Sequence, residues 1–185
     1  MKIKTLLLLT ILISIAFISR GQYMMMTVDG IKQGKFKGES TRSGAAEKIE
    51  LLYFSQEIVS PRDAASGMPT GKRMHRPITI RKMTGSSSPQ FFTALVSNEV
   101  LRTVTIEFYK KDDIYTSSSE MLFYKIELTN ASVSRFRQFM GASEAAGPKA
   151  RPEDLTEEIE FTFEKIKVTC TKGSTSGADD WRVSN

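Results

Sequence analysis

The segment 77–109 constrains the fold most, because two strand patterns enclose one short helical pattern. Ile78 and Ile80 alternate with polar residues, which is the period of a half-buried strand. After the helical pattern the same alternation returns, with these residues on one face: Val104, Ile106 and Phe108. The segment therefore predicts a strand, a capped short helix and a second strand.

The helical pattern begins after a break at Gly85 and three serines. Ser88 precedes Pro89, so Ser88 can cap a helix that has proline in its first turn. Alternatively Ser87 is the cap, and Gln90 completes a capping box three residues later. The spacing predicts one apolar helix face that consists of Phe92, Leu95 and Val96.

Another predicted strand is apolar on both faces. Ile49, Leu51 and Tyr53 share one face, and Leu52 and Phe54 share the other. Such a strand is either central in a sandwich or covered on its outer face by a neighbouring subunit.

The last long strand pattern changes phase along its length. One phase holds Ile159, Phe161 and Phe163, and the opposite phase holds Ile166, Val168 and Cys170. The slip at Glu164–Lys165 predicts a β-bulge or a passage of the strand between sheets.

Taken together, the patterns predict a mainly β fold with one short α-helix, either a small barrel-like domain or an orthogonal β-sandwich.

The N-terminus has the pattern of a secretory signal peptide. Lys2 and Lys4 precede an apolar run over residues 6–18, and Ser19 and Gly21 supply small residues at the two positions that a signal peptidase reads. We predict a cleaved signal peptide over residues 1–21 and a single domain over residues 22–185. The alternatives are an uncleaved anchor and a misassigned start codon, with the true start at one of Met24, Met25 and Met26.

The net charge of +5 arises partly from this leader. Lys2, Lys4 and Arg20 lie within residues 1–21, which contain no acidic residue, so residues 22–185 carry a formal charge of only +2. This charge gives no indication of nucleic-acid binding. Cys170 is the only cysteine, which excludes an intrachain disulfide, and its strand context predicts a small buried hydrophobe.

Few residues are candidates for chemistry. His75 is the only histidine and lies in the basic cluster 72–76, which we interpret as a solvated loop. Binding of nucleic acid or of an acidic partner surface is the alternative use of that cluster. We predict that three carboxylates face solvent: Glu157, Glu158 and Glu160. We interpret Asp112–Asp113 and Asp179–Asp180 as turn residues. We expect no catalytic residue, metal or cofactor, and no enzyme activity.

Five segments together resemble the Hcp (haemolysin-coregulated protein) family, the tube protein of type VI secretion. They are 49–61, 77–109, 120–139, 153–171 and 178–181. The resemblance implies a small barrel-like β domain with one short helix. It also implies six-membered rings that stack into the tube of a contractile injection machine, carry effectors and occur free outside the cell.

The segment 55–76 is a long predicted loop, and structureless loops of this length are commonly functional. The family resemblance implies an extended loop at this place, which would reach the next ring. The candidate ring-stacking residues are Ser60, Pro61, Arg62, Lys72, Arg73 and His75. Deletion of residues 62–74 is expected to abolish stacking and to leave single rings.

The sequence thus favours a structural ring-forming or tube-forming protein that also carries effectors out of a Gram-negative bacterium. Its expected partners are further copies of itself in a homo-hexamer, sheath or spike components, and effector proteins, with no nucleic acid and no stable membrane insertion after signal cleavage. The leader predicts a secreted or periplasmic protein, and a misassigned start predicts cytoplasmic assembly. The alternative hypothesis is an exported Hcp-like binding module that acts as a monomer or a single ring, and an effector enzyme is the third.

Overall fold

A computed structural model describes residues 22–111, 120–140 and 154–183. The predicted signal peptide and the predicted turn at Asp112–Asp113 lie outside the described residues. The described strands and helix, in chain order, are β1 (Tyr23–Gly30), β2 (Gly34–Lys35), β3 (Ile49–Leu51), β4 (Tyr53–Ser55), β5 (Ile58–Val59), β6 (Met74–His75), β7 (Ile78–Met83), α1 (Ser88–Val96), β8 (Val100–Lys111), β9 (Glu120–Met140), β10 (Leu155–Thr162), β11 (Lys165–Cys170) and β12 (Thr175–Asp180).

Ten of these strands form one antiparallel sheet, in which the main path runs β2-β1-β8-β9-β10-β7-β4. β3 pairs with β1, β4 pairs with β7, and only Leu52 separates β3 from β4. β1 and β7 thus pair with two strands that are consecutive in the chain, which gives a barrel-like arrangement, although no pairing among the described strands joins β3 to β4. The prediction of a mainly β fold with one short helix is confirmed.

β9 is the longest described strand, with 21 residues, and it organises the second half of the sheet. Its first part pairs with β8 and β11, and its last part pairs with β10. β10 ends at Thr162 and β11 begins at Lys165, so the phase change falls at a break between two strands. Both strands belong to one sheet, so the predicted passage between sheets does not occur. β10 and β11 both pair with β9 on one side. On the other side β10 pairs with β7, and β11 pairs with β12.

The core confirms most of the predicted strand phases. Ile78 and Ile80 of β7 are fully buried, as are Val104 and Ile106 of β8. The other fully buried residues of the same cluster include Met26, Ile49, Phe91, Leu101, Leu128, Ala131, Ile159 and Phe161. Their burial supplies the main favourable free energy of folding, at roughly 25 cal/mol per Å² of apolar surface.

The predicted apolar face of α1 is buried only in part, since Leu95 packs against the core. Phe91 and Ala94 are the buried apolar residues of the helix, whereas Phe92 and Val96 are 54% and 61% exposed. Phe91 packs edge to face against Phe36, with 5.0 Å between the ring centroids. The helix is therefore turned about its axis relative to the prediction, so that Phe91 faces the core and packs against Phe36.

Neither predicted capping arrangement occurs. Ser87 holds the cap position without a side-chain cap bond, and its hydroxyl donates to Glu39 instead. Ser88 accepts a hydrogen bond from the Gly85 N–H at 2.8 Å, and Gln90 accepts one from the Lys37 N–H at 2.7 Å. Tertiary contacts thus compete for the side chains that local sequence assigns to capping.

The strand at 49–55 also differs from its prediction. Ile49 and Leu51 are buried as expected, but the strand breaks at Leu52, whose N–H donates to the Arg81 carbonyl at 2.8 Å. After the break Phe54 packs against the core, and the Tyr53 ring lies under the guanidinium of Arg81 at 4.4 Å. The break changes the phase, so Phe54 rather than Tyr53 continues the inward face.

Candidate functional site

The predicted long loop is an ordered projection, which we call the arm and define as residues 56–76. β5 and β6 pair within it, with Ile58 opposite His75, and a further bridge joins Arg62 to Pro69. The arm is therefore an antiparallel hairpin and not the structureless loop that the sequence predicted. Its pairing partners lie within the arm itself, since β5 and β6 form a separate two-stranded sheet.

The tip of the arm is closed by Asp63. Its carboxylate accepts hydrogen bonds from the N–H groups of Ala65 and Ser66, at 3.1 and 2.7 Å, and from the Ser66 hydroxyl at 2.8 Å. These bonds, led by those from Ser66, hold the pKa of the Asp63 carboxyl below its usual value. Met68 follows the turn and is 64% exposed. The tip thus presents an apolar side chain on a preformed turn.

The base of the arm is anchored to β12. Arg73 donates two hydrogen bonds to the Asp179 carboxylate and one, at 2.9 Å, to the Asp180 carbonyl. His75 Nε2 lies 2.6 Å from Oδ2 of Asp179, and the His75 ring packs against Trp181 with 5.3 Å between centroids. The His75 side chain is only 3% exposed, so the prediction of a solvated histidine is wrong.

Asp179 lies in β12 rather than in a turn, which corrects the assignment of Asp179–Asp180. The hydrogen bonds from Arg73, and then that from His75, lower the pKa of Asp179 to about 2. The carboxylate is ionised at neutral pH and can hold both basic groups of the arm. No local pattern in the sequence indicates this contact, because the partners are more than a hundred positions apart.

The structure divides the candidate stacking residues into two groups. Ser60, Arg62 and Lys72 are exposed along the arm, and Pro61 is half-buried. Arg73 and His75 are brought together at Asp179, at the base. The first group is therefore available to another molecule, and the second group fixes the position of the arm.

A second feature is a buried charge network under the N-terminus of α1. Lys82 and Glu157 are fully buried, with 3.3 Å between Nζ and Oε1, and Glu39 Oε1 lies 3.0 Å from the same Nζ. The Ser88 hydroxyl donates to Glu157. The prediction that Glu157 faces solvent is therefore wrong.

The other two carboxylates of the predicted solvent-facing group behave differently from each other. Glu158 is also buried, and its Oε2 accepts a hydrogen bond from Nε of Arg81 at 2.9 Å. Glu160 is half-buried and pairs with Arg135 at 3.0 Å. A signal for Glu157 existed in the sequence: it shares the strand phase of Ile159 and Phe161, and Lys82 shares that of Ile78 and Ile80.

A third feature is an apolar surface beside the helix, which we call the helix surface. It consists of Phe92, Val96, Phe136, Met140 and Leu155. Phe92 contacts Phe136 with 6.2 Å between ring centroids, and Met140 pairs with Leu155 across β9 and β10. Phe92, Val96 and Met140 are each more than half exposed. The sequence analysis placed the first two of these residues on one apolar helix face but did not show that both are exposed.

The described residues offer little for catalysis. Within residues 22–111, 120–140 and 154–183, no group of three metal-binding side chains is close enough to hold an ion. Cys170 is a free, half-buried thiol, and is thus more exposed than the predicted buried hydrophobe. In the same part of the chain, no helix has both the length and the apolar character to cross a membrane.

A barrel-like antiparallel sheet with one short helix and an arm held on β12 defines a mainly β protein whose exposed side chains are available to other molecules. Residues 25–170 match the family model described as type VI secretion system effector, Hcp. The chain therefore belongs to the Hcp family of type VI secretion. It is 31% identical over 166 residues to the major exported protein of Pseudomonas aeruginosa, and the match covers 85% of this chain and 94% of that protein.

Solved structures agree on the fold. A crystal structure of an Hcp protein has a TM-score of 0.74 at 24% identity and covers 86% of this chain and 99% of that one. Hcp1 from Escherichia coli EAEC 042 has a TM-score of 0.72 at 22% identity, with 86% and 98% covered. The secreted protein Hcp3 from Pseudomonas aeruginosa has a TM-score of 0.69 at 24% identity, with 88% and 100% covered.

Proposed function

We propose that the chain is exported and assembles with copies of itself into a ring that serves as a conduit or carrier in type VI secretion. Membership of the Hcp family and the name of the exported Pseudomonas relative support this proposal. The observation that carries it is the helix surface, where Phe92, Val96 and Met140 are 54%, 61% and 69% exposed. Sheath or spike components and effector proteins would be the other partners of such a ring.

The helix surface supports assembly because exposed apolar side chains that lie together commonly mark a contact with another protein. Phe92 and Val96 lie one helical turn apart, so they present one continuous face. Burial of such residues against a neighbouring copy would gain roughly 25 cal/mol per Å² of apolar surface. If the surface meets a different region of the next copy, the contact is head-to-tail and closes into a ring when the rotation permits.

The arm supports stacking of one ring on the next. Its base is held by Arg73 and His75, and its tip is closed by Asp63, so little conformational entropy would be lost on binding. The residues that would contact the next ring are Ser60, Pro61, Arg62 and Lys72, together with Met68. Arg73 and His75 would act as positioning residues for the arm.

The assembly is tested by the native mass of residues 22–185, measured by light scattering over a range of protein concentrations. The expected result is a stable mass of about six subunits, as in a closed head-to-tail ring. Phe92→Glu should lower this mass to that of a monomer. Ile31→Glu is the matched control, because Ile31 is 55% exposed in the turn between β1 and β2. A wild-type protein that stays monomeric would overturn the ring and favour an exported binding module.

Stacking requires a variant that removes the tip and keeps the anchor. Deletion of residues 62–74 also removes Arg73, so loss of stacking in that variant would have two explanations. Replacement of residues 63–68 by two glycines leaves Arg73 and His75 in place. Electron microscopy should then show single rings without filaments, and filaments of normal length would contradict a role for the arm tip.

A further inference from the structure

We propose that the mature protein carries a pyroglutamate at its N-terminus, formed from Gln22. This inference rests on the proposed export, because Gln22 becomes the first residue only when the leader is removed. It adds a covalent modification site and a defined N-terminal chemistry to the exported form.

The sequence places Gln22 directly after the processing site. Ser19 and Gly21 occupy the two positions that signal peptidase reads, so the bond that is cut joins Gly21 to Gln22. The new α-amino group therefore belongs to a glutamine, whose side-chain amide lies at the distance that closes a five-membered ring.

The structure leaves Gln22 free to react. Tyr23 is the first residue of β1, and its ring stacks on that of Tyr109 with 5.0 Å between centroids and 5° between planes. Gln22 lies outside the strand and is exposed, and its side chain makes no hydrogen bond to another described residue. The chain is thus held in the sheet from Tyr23 onward, and the reacting residue lies outside the strand.

The reaction needs no oxidant and no cofactor. An N-terminal amine has a pKa of about 8, so a fraction of it is neutral and nucleophilic at physiological pH. The amine nitrogen of Gln22 attacks Cδ of the side-chain amide, the bond from Cδ to Nε2 breaks, and the nitrogen leaves as ammonia. The product is a neutral lactam, so the chain loses one positive charge and one free amine.

The positive charge that cyclisation removes lies close to another cation, the guanidinium of Arg42. The Arg42 guanidinium lies 3.9 Å above the centre of the Tyr23 ring and 3.6 Å from the Glu120 carboxylate. An N-terminal ammonium one residue before Tyr23 would add a second positive charge near this cluster. Cyclisation removes that charge and also protects β1 from aminopeptidases, which need a free α-amine.

The test uses the full chain, expressed in a bacterium with a general secretory pathway and purified from the periplasm or the medium. Intact mass spectrometry should give the mass of residues 22–185 less about 17 Da, because ammonia is lost with the terminal charge. Edman sequencing should be blocked, and digestion with pyroglutamyl aminopeptidase should restore a sequence that begins at Tyr23. Gln22→Ala is the matched control and should give a free amine with an unchanged melting temperature.

The outcomes separate this inference from the proposed export. A processed protein that keeps an uncyclised Gln22 after prolonged incubation at neutral pH overturns the inference and leaves the export intact. A mass that still includes residues 1–21 overturns the inference and contradicts the export as well. A mature N-terminus at any other residue also overturns the inference.

Discussion

His75 Nε2 lies 2.6 Å from Oδ2 of Asp179, and this contact joins two regions that are 104 positions apart in the chain. Arg73 shares the same carboxylate. The arm therefore does not depend on its own two short strands for its position. A single carboxylate of β12 holds both basic groups at its base.

Asp179→Asn should release the base of the arm. The variant loses the charge that holds Arg73 and His75, and hydrogen bonds to charged groups contribute about 1.5–3 kcal/mol each. We expect the free energy of unfolding, measured by urea denaturation, to fall by about 2 kcal/mol. Asp29→Asn is the control, because its pair with the largely exposed Arg102 should contribute only about 0–1 kcal/mol. Equal losses in both variants would contradict the anchoring role of Asp179.

The anchor should also respond to acid. The pKa of Asp179 is about 2 in the folded protein, below its ordinary value of 3.8, so the folded state favours the ionised carboxylate. The stabilisation is therefore fully present above about pH 4 and is lost as the pH falls toward 2. The difference in unfolding free energy between wild type and Asp179→Asn should shrink over that range, because protonation removes the charge of Asp179. The other carboxylates titrate in both proteins, so their effect cancels in the difference. A difference that stays constant from pH 5 to about pH 2 would show that Asp179 is not the titrating group.

Lys82→Met should be one of the most damaging conservative changes in this chain. It leaves Glu157 buried without its cation, and removal of one partner from a buried pair costs about 3–5 kcal/mol. Lys125→Met is the control, since the pair of Lys125 with Glu127 is about one-third exposed and lies on the surface. Chemical denaturation should separate the two variants clearly. A loss below about 1 kcal/mol for Lys82→Met would mean that the network is solvated in the folded protein.

Two adjacent phenylalanines provide an internal comparison for α1. Phe91→Ala removes a fully buried ring and should cost about 3–5 kcal/mol of unfolding free energy. Phe92→Ala removes a ring that is 54% exposed and should change the stability by less than about 1 kcal/mol. Thermal unfolding of both variants measures the difference, and the reverse order of stabilities would restore the helix face predicted from the sequence.

The strands and the helix differ in how well the sequence predicts which residues are buried. The strands around Ile80 and Ile106 were predicted correctly, because alternation along a strand leaves only two faces to choose between. The helix offers more rotational settings, and Phe91 is buried because Phe36, which is distant in sequence, packs against it. A pattern read from nine residues contains no information about that neighbour.

The predictions for the charged residues were wrong for a different physical reason. A glutamate is ordinarily placed on the solvent side of a strand, because burial of an unpaired charge is costly. Glu157 is buried only because Lys82 on the neighbouring strand is buried with it. The strand phase of each residue points into the core, where a single charge would be costly. The two opposite charges can occupy these positions because they pair with each other. The anchor at Asp179 differs, since neither half of that contact has a local sequence signal.

The pairing of β1 with β8 also has a consequence for the order of folding. β1 is complete at Gly30, but its partner β8 begins only at Val100. A chain synthesised from its N-terminus thus presents Met25 and Met26, which are fully buried in the final fold, well before their cover exists. Contacts between such distant residues form slowly, because the intervening loop must close first. The emerging polypeptide consequently cannot complete the pairing of β1 with β8 until more than half of the chain has been made.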